Sequence, residues 1–166
     1  MVAAIFALAG ALIGVLGAFV VELVRTRTEN LRLRQEALRL ACADFTTAVA
    51  RMWNLAVELM AKPADIELTN SFHEAHREAR MHYERLRLTA ASGNVQKAAR
   101  YALRYAYGLL RQIEGKSLRD DERERGPLVM LQHSLATLTT EVRREIGVLH
   151  ADDVYREPDE WIERDL

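Results

Sequence analysis

The expected architecture is all-α: a single membrane-spanning helix at the N-terminus, followed by a cytoplasmic antiparallel four-helix bundle. Three features of the 166 residues carry that expectation. Val2 to Val21 is an apolar run with no charge, and Glu22 is the first ionisable side chain. Beyond Leu31, apolar residues recur at three- and four-residue spacing in four blocks, the period of one buried helix face. No stretch alternates β-branched with polar residues, so nothing in the chain reads as a strand.

The first element is the apolar run. As a helix it spans about 30 Å, the thickness of a bilayer's hydrocarbon layer. A secretory leader would carry a basic segment before a shorter core of roughly 7–15 residues. Here the basic residues come afterwards, at Arg25, Arg27, Arg32 and Arg34. That order keeps the C-terminal side in the cytoplasm and puts the N-terminus outside the cell's inner membrane. The small residues Ala3, Ala7, Gly10, Gly14 and Gly17 share one face of the span, and Gly10 with Gly14 forms a GxxxG pair. Close backbone approach at such a face drives association of membrane helices, so a second copy or another spanning protein is the expected partner there. Arg25 and Arg27 fall at headgroup level, where each basic residue adds roughly 1 kcal/mol of attraction to anionic lipid. Residues 1–24 are thus the anchor and 25–30 a juxtamembrane segment, with a bend expected at Thr26–Asn30 because it is polar and poor in helix formers.

The bundle is expected over residues 31–150. Its first helix runs from Leu31 to Ala61 with Leu31, Leu38, Cys42, Phe45, Val49, Met52, Ala56 and Leu59 on one stripe, and Pro63 stops it. The second starts near Asn70-Ser71, where Ser71 and Glu74 have capping-box spacing, and buries Phe72, Ala75, Ala79, Tyr83, Leu86 and Ala90. Ser92-Gly93-Asn94 breaks it, with Gly93 a left-handed cap. The third, Val95 to Ile113, turns Ala99, Ala102, Ala106, Leu109, Leu110 and Ile113 inward and ends at Gly115. Lys116 to Gly126 (KSLRDDERERG) reads as a solvated loop or frayed turn. Pro127 then suits the first turn of a fourth helix marked by Leu128, Leu131, Leu135, Leu138, Val142 and Leu149. Short turns make the helices antiparallel neighbours within one chain. Heptads also serve coiled coils between chains, and an oligomeric packing is the rival. The tail, residues 151–166, holds seven acidic residues and two arginines. It reads either as a disordered tail or as a short docking peptide anchored by Trp161, Ile162 and Leu166 on a helical turn.

Chemistry is harder to find. The formal net charge of -1 gives no overall basic field for nucleic acid. The lone Cys42 rules out an internal disulfide and lies on a buried stripe. His73-Glu74-Ala75-His76 lacks one residue of the zinc-protease spacing, and no histidine follows a glutamate by three positions as helical di-metal sites require. No metal, cofactor or catalytic residue is therefore expected. Lys97, Arg100, Arg104 and Arg111 form a basic stripe on the third helix, interleaved with Tyr101, Tyr105 and Tyr107. It reads as a solvated face, a contact for anionic headgroups, or a seat for the acidic tail. Arginine outnumbers lysine twenty to three, which reads as codon bias and weakens any single arginine cluster as a signal.

Length and an N-terminal span are shared with the b-type stalk subunit of rotary ATP synthases. A stalk needs one very long helix, however, and Pro63, Gly93 and the 116–127 segment interrupt this chain three times. The functional expectation is a membrane-anchored adaptor or regulator that binds a protein at the inner membrane face. A prophage-type exclusion or defence factor and a bundle sensing a small ligand are the alternatives.

Overall fold

The computed structural model of the chain describes the backbone of residues 2–148 and the side chains of residues 21–148. These form five helices, α1 (Val2–Ala61), α2 (Ile66–Thr89), α3 (Gly93–Ile113), α4 (Asp120–Arg125) and α5 (Pro127–Glu145), and no strand occurs among the described residues. The fold is all-α. The chain divides into two compact units, Met1–Ala37 and Leu38–Leu166.

In the first unit the backbone is helical through Thr26–Asn30, so the bend expected there is absent. Two local interactions offset the weak helix formers. Thr28 Oγ1 donates to the Val24 carbonyl at 2.8 Å, and Arg25 Nε donates to Glu29 Oε1 at 3.1 Å in an i,i+4 pair. Leu31, expected on the buried stripe, is exposed with Val21, Leu23, Val24 and Leu33. The side chains of Ala3, Ala7, Gly10, Gly14 and Gly17 lie outside the described ones. Among the residues described with their side chains, 21–148, no helix is long and apolar enough to cross a membrane, so the expected span over residues 1–24 gains no support from them.

The second unit is the helical bundle. Arg85 pairs with Asp44 at 2.9 Å and Arg51 with Glu78 at 2.7 Å, so α2 runs antiparallel to the α1 segment beyond Leu38. His76 stacks on Tyr107 while Gln96 Nε2 donates to the Arg87 carbonyl, so α3 is antiparallel to α2. Asn94 reaches Glu141, and the α-carbon of Gly108 faces Pro127, so α5 is antiparallel to α3. Leu38, Phe45, Val49, Met52, Ala56 and Leu59 of α1 meet Phe72, Ala75, Ala79 and Leu86 of α2 in one core, as their spacing requires. Cys42 packs at its edge. Each fully buried large side chain contributes roughly 1.5–3 kcal/mol. Alanines on α3 (Ala98, Ala99, Ala102 and Ala106) are buried too, and α3 makes its most extensive helix contact with α5, where Leu131, Leu138 and Val142 fill the seam.

Several boundaries differ from expectation. α2 begins at Ile66, a full turn before Ser71, because Asp65 Oδ1 accepts from the Glu67 and Leu68 amides at 3.0 Å each. A carboxylate that satisfies two orphan N–H groups outcompetes a capping box further along. Gly93 is the first residue of α3 rather than a left-handed cap, and Ser92 is its N-cap. The α2–α3 turn is held from across the bundle, since Glu145 accepts from the Ala91 amide at 2.7 Å and the Ser92 amide at 3.0 Å. Gly115 does end α3, with φ of 66°. The segment expected as a solvated loop or frayed turn contains the short helix α4, which carries the fully buried Glu122. Gly126, with φ of 78°, turns α4 into α5, and Pro127 stands at the start of α5. Leu149 and the tail with Trp161, Ile162 and Leu166 lie outside the described residues.

Candidate functional site: a basic groove between α2 and α3

On α2, His76, Arg80, Tyr83 and Arg87 recur at three- and four-residue steps and so share a face. On α3, Lys97, Arg100, Arg104 and Arg111 follow at steps of three, four and seven residues and likewise share a face. Antiparallel packing turns these two faces toward one groove of about 990 Å³, whose far end is lined by Arg119. Seven of its lining residues are lysine or arginine and one, Glu84, is acidic. The whole chain is balanced, with 23 basic and 24 acidic residues, so the excess is local. Tyr83, Tyr101 and Tyr107 supply its aromatic lining.

Three of the seven cations are engaged internally. Arg87 Nε donates to Glu84 at 2.8 Å. Arg111 Nη2 donates to both oxygens of Glu122, at 2.6 and 2.5 Å. Arg104 pairs with Asp121, and its Nε lies 3.8 Å from Glu122 Oε1. The acidic turn of α4 therefore docks on the basic stripe of α3. Gly108 makes this possible, because a Cβ there would come within 3.1 Å of Glu122 Oε1 and 3.2 Å of Pro127 Cβ. Glu122 is fully buried, yet its carboxylate also accepts from the Arg119 amide at 3.0 Å. The buried Nε atoms of Arg104 and Arg111 have no hydrogen-bond partner.

Electrostatics follow from that docking. Burial and the hydrogen bond it donates to Asp121 at 2.9 Å push the Tyr105 hydroxyl up to about 12. Desolvation works to raise the Asp121 carboxyl, but the Tyr105 hydrogen bond and the Arg104 charge outweigh it and hold the group below its usual range. Burial first, then the Arg80 and His73 charges, lower the pKa of His76, whose ring stacks on Tyr107 at 4.6 Å between centroids. Arg104 also lies over the Tyr101 and Tyr105 rings, at 5.4 and 4.9 Å from their centroids.

Arg80, Lys97, Arg100 and Arg119 remain. None has an ion pair among the described residues, and all four are exposed. The stripe expected on α3 is thus divided: Lys97 and Arg100 face the groove free, Arg104 and Arg111 are held by α4, and Tyr105 is buried. Sequence reasoning missed Arg80, Arg87 and Arg119. The i,i+7 spacing of Arg80 and Arg87 beside Tyr83 was a readable signal for the first two. It missed Glu122 as well, for which the isolated Gly108 inside a helix was the clue.

The other candidates are placed elsewhere. No cluster able to hold a metal ion occurs among the described residues. His73 faces the Tyr107 ring at 6.5 Å, and His82 lies 4.0 Å from Glu78. Cys42 is half-buried, and desolvation raises its thiol pKa. Arg25 and Arg27 belong to the first unit and are exposed. Comparison of this chain with protein-family models, with curated proteins and with solved structures finds no match.

Proposed function

We propose that the chain is a membrane-anchored, non-enzymatic interaction protein whose helical bundle is held at the cytoplasmic face of the inner membrane. The observation that carries this reading is the charge-free run Val2–Val21, long enough as a helix to cross a bilayer and followed directly by Arg25 and Arg27. The face Ala3, Ala7, Gly10, Gly14 and Gly17 pairs the anchor with a second copy or with another spanning helix. The bundle then acts by binding, through its groove or through the Trp161–Leu166 end, and its partners are the lipid bilayer and protein rather than nucleic acid. Cell fractionation of the full-length chain tests this. The protein should sediment with membranes, resist alkaline carbonate and dissolve in detergent, and Gly10→Ile with Gly14→Ile should reduce crosslinked dimer. Recovery of the intact chain in the soluble fraction without detergent overturns the reading.

A further inference from the structure

The groove between α2 and α3 holds more positive charge than the protein itself uses. Like charges facing each other across a cleft repel, and the chain carries enough carboxylates to cancel them. It does so for Arg87, Arg104 and Arg111 and leaves Arg80, Lys97, Arg100 and Arg119 open. The helix register brings three of these four close together. With His76 opposite Tyr107 and Arg87 opposite Gln96, Arg80 stands opposite Leu103 and Tyr83 opposite Arg100. Lys97, Arg100 and the position facing Arg80 then fall within about 9 Å along the α3 axis. Cations reach this stretch from both walls of the groove.

We propose that this groove is a binding site for a small, multiply phosphorylated ligand, whose phosphates bridge Arg80 on α2 to Lys97 and Arg100 on α3. Arginine's planar donor fork matches phosphate oxygens bidentately, and lysine adds a mobile point charge. A ligand with one charge would satisfy one wall only; a chain or ring carrying several phosphates satisfies both. The floor is preorganised, since Glu122 and Asp121 fix Arg111 and Arg104 and withhold them from swinging into the opening. The volume, about 990 Å³, suits a ligand of nucleotide size. The half-buried tyrosines of the lining offer a surface for a sugar or a ring. The inference does not depend on the membrane reading, because every residue in it belongs to the second unit.

The test uses the full-length protein in detergent micelles and isothermal titration with sodium tripolyphosphate and with ATP. A parallel arm uses vesicles containing a phosphorylated inositol lipid, which separates a headgroup from a free ligand. Binding to either source, weakened by about tenfold or more in Arg80→Gln/Arg100→Gln and strongly by added salt, supports the proposal. Arg143→Gln, an exposed arginine of α5 outside the groove, should leave affinity unchanged. All four cations are exposed and unpaired, so circular dichroism should show the variants folded. No detectable binding of tripolyphosphate, ATP or the lipid overturns the proposal, as does binding that ignores the groove variants. A single-stranded oligonucleotide that binds about tenfold or more tightly than either small phosphate overturns it too, since the site would then be built for a polymer.

Discussion

Removing the Glu122 carboxylate should be the most damaging single change outside the apolar core. Glu122→Ala leaves Arg111 without its two short bonds, takes the second carboxylate from Arg104 and strips the Arg119 amide of its acceptor. Breaking a fully buried ion pair costs about 3–5 kcal/mol. The arginines are not fully dry, with side chains 18% and 25% exposed for Arg111 and Arg104, so some charge can turn to water. The expected loss is about 2–4 kcal/mol. A urea titration followed by circular dichroism should show it as a midpoint lowered by about 1–2 M, given slopes of about 1–3 kcal/mol/M for domains of this size. Gly108→Ala supplies the second arm of a cycle. Its helix propensity gain is about 1 kcal/mol, but the new methyl meets Glu122 Oε1 at 3.1 Å and Pro127 Cβ at 3.2 Å. Alone it should destabilise; in the Glu122→Ala background one of those clashes is gone, and the two effects should fail to add by about 1 kcal/mol. A Glu122→Ala loss below about 1 kcal/mol, or strict additivity with Gly108→Ala, refutes the docking of α4 as described.

Three further outcomes are expected. Asp65→Ala should cost about 1 kcal/mol in the same titration and speed amide exchange at Glu67 and Leu68, whereas Ser71→Ala should do neither. Tyr105 should ionise at about pH 12 in an ultraviolet absorbance titration, and Tyr105→Phe should remove that component. Because its folded pKa lies above the unfolded value near 10, its contribution to stability is complete below pH 10 and is lost as pH rises toward 12. Cys42, whose thiol is raised by burial, should react with an aromatic disulfide reagent at neutral pH much more slowly than it does in urea; equal rates would contradict its position.

Much of the bundle was legible because burial follows period. Phe45, Val49, Met52 and Ala56 on α1, Phe72, Ala75 and Ala79 on α2, and Leu131 and Leu138 on α5 sit inside as their spacing demands. Ends were less legible. Asp65 and Ser71 both offer cap chemistry, and which one wins depends on whether the preceding turn has room to close, which spacing does not state. α4 was the real failure. Six charged residues in a row, Asp120 to Arg125, give no apolar period, and composition alone assigns them to water. They fold because Arg104 and Arg111 of another helix supply the partners, a tertiary fact. Half of the groove was visible as the α3 stripe; the other half, Arg80 and Arg87, was readable as a face of α2, but only the register shows that this face lies across from α3.

The two faces of α3 divide labour in a way that bears on how the chain can change over generations. The small buried side chains of α3, Ala98, Ala99, Ala102 and Ala106, tolerate no growth without prying the helices apart, so that side is constrained. The open cations toward α2 contribute little to folding, and substitutions at such surface positions cost within about 0.5 kcal/mol. Selection can therefore change the charge of the cleft one residue at a time, while the scaffold behind it stays intact.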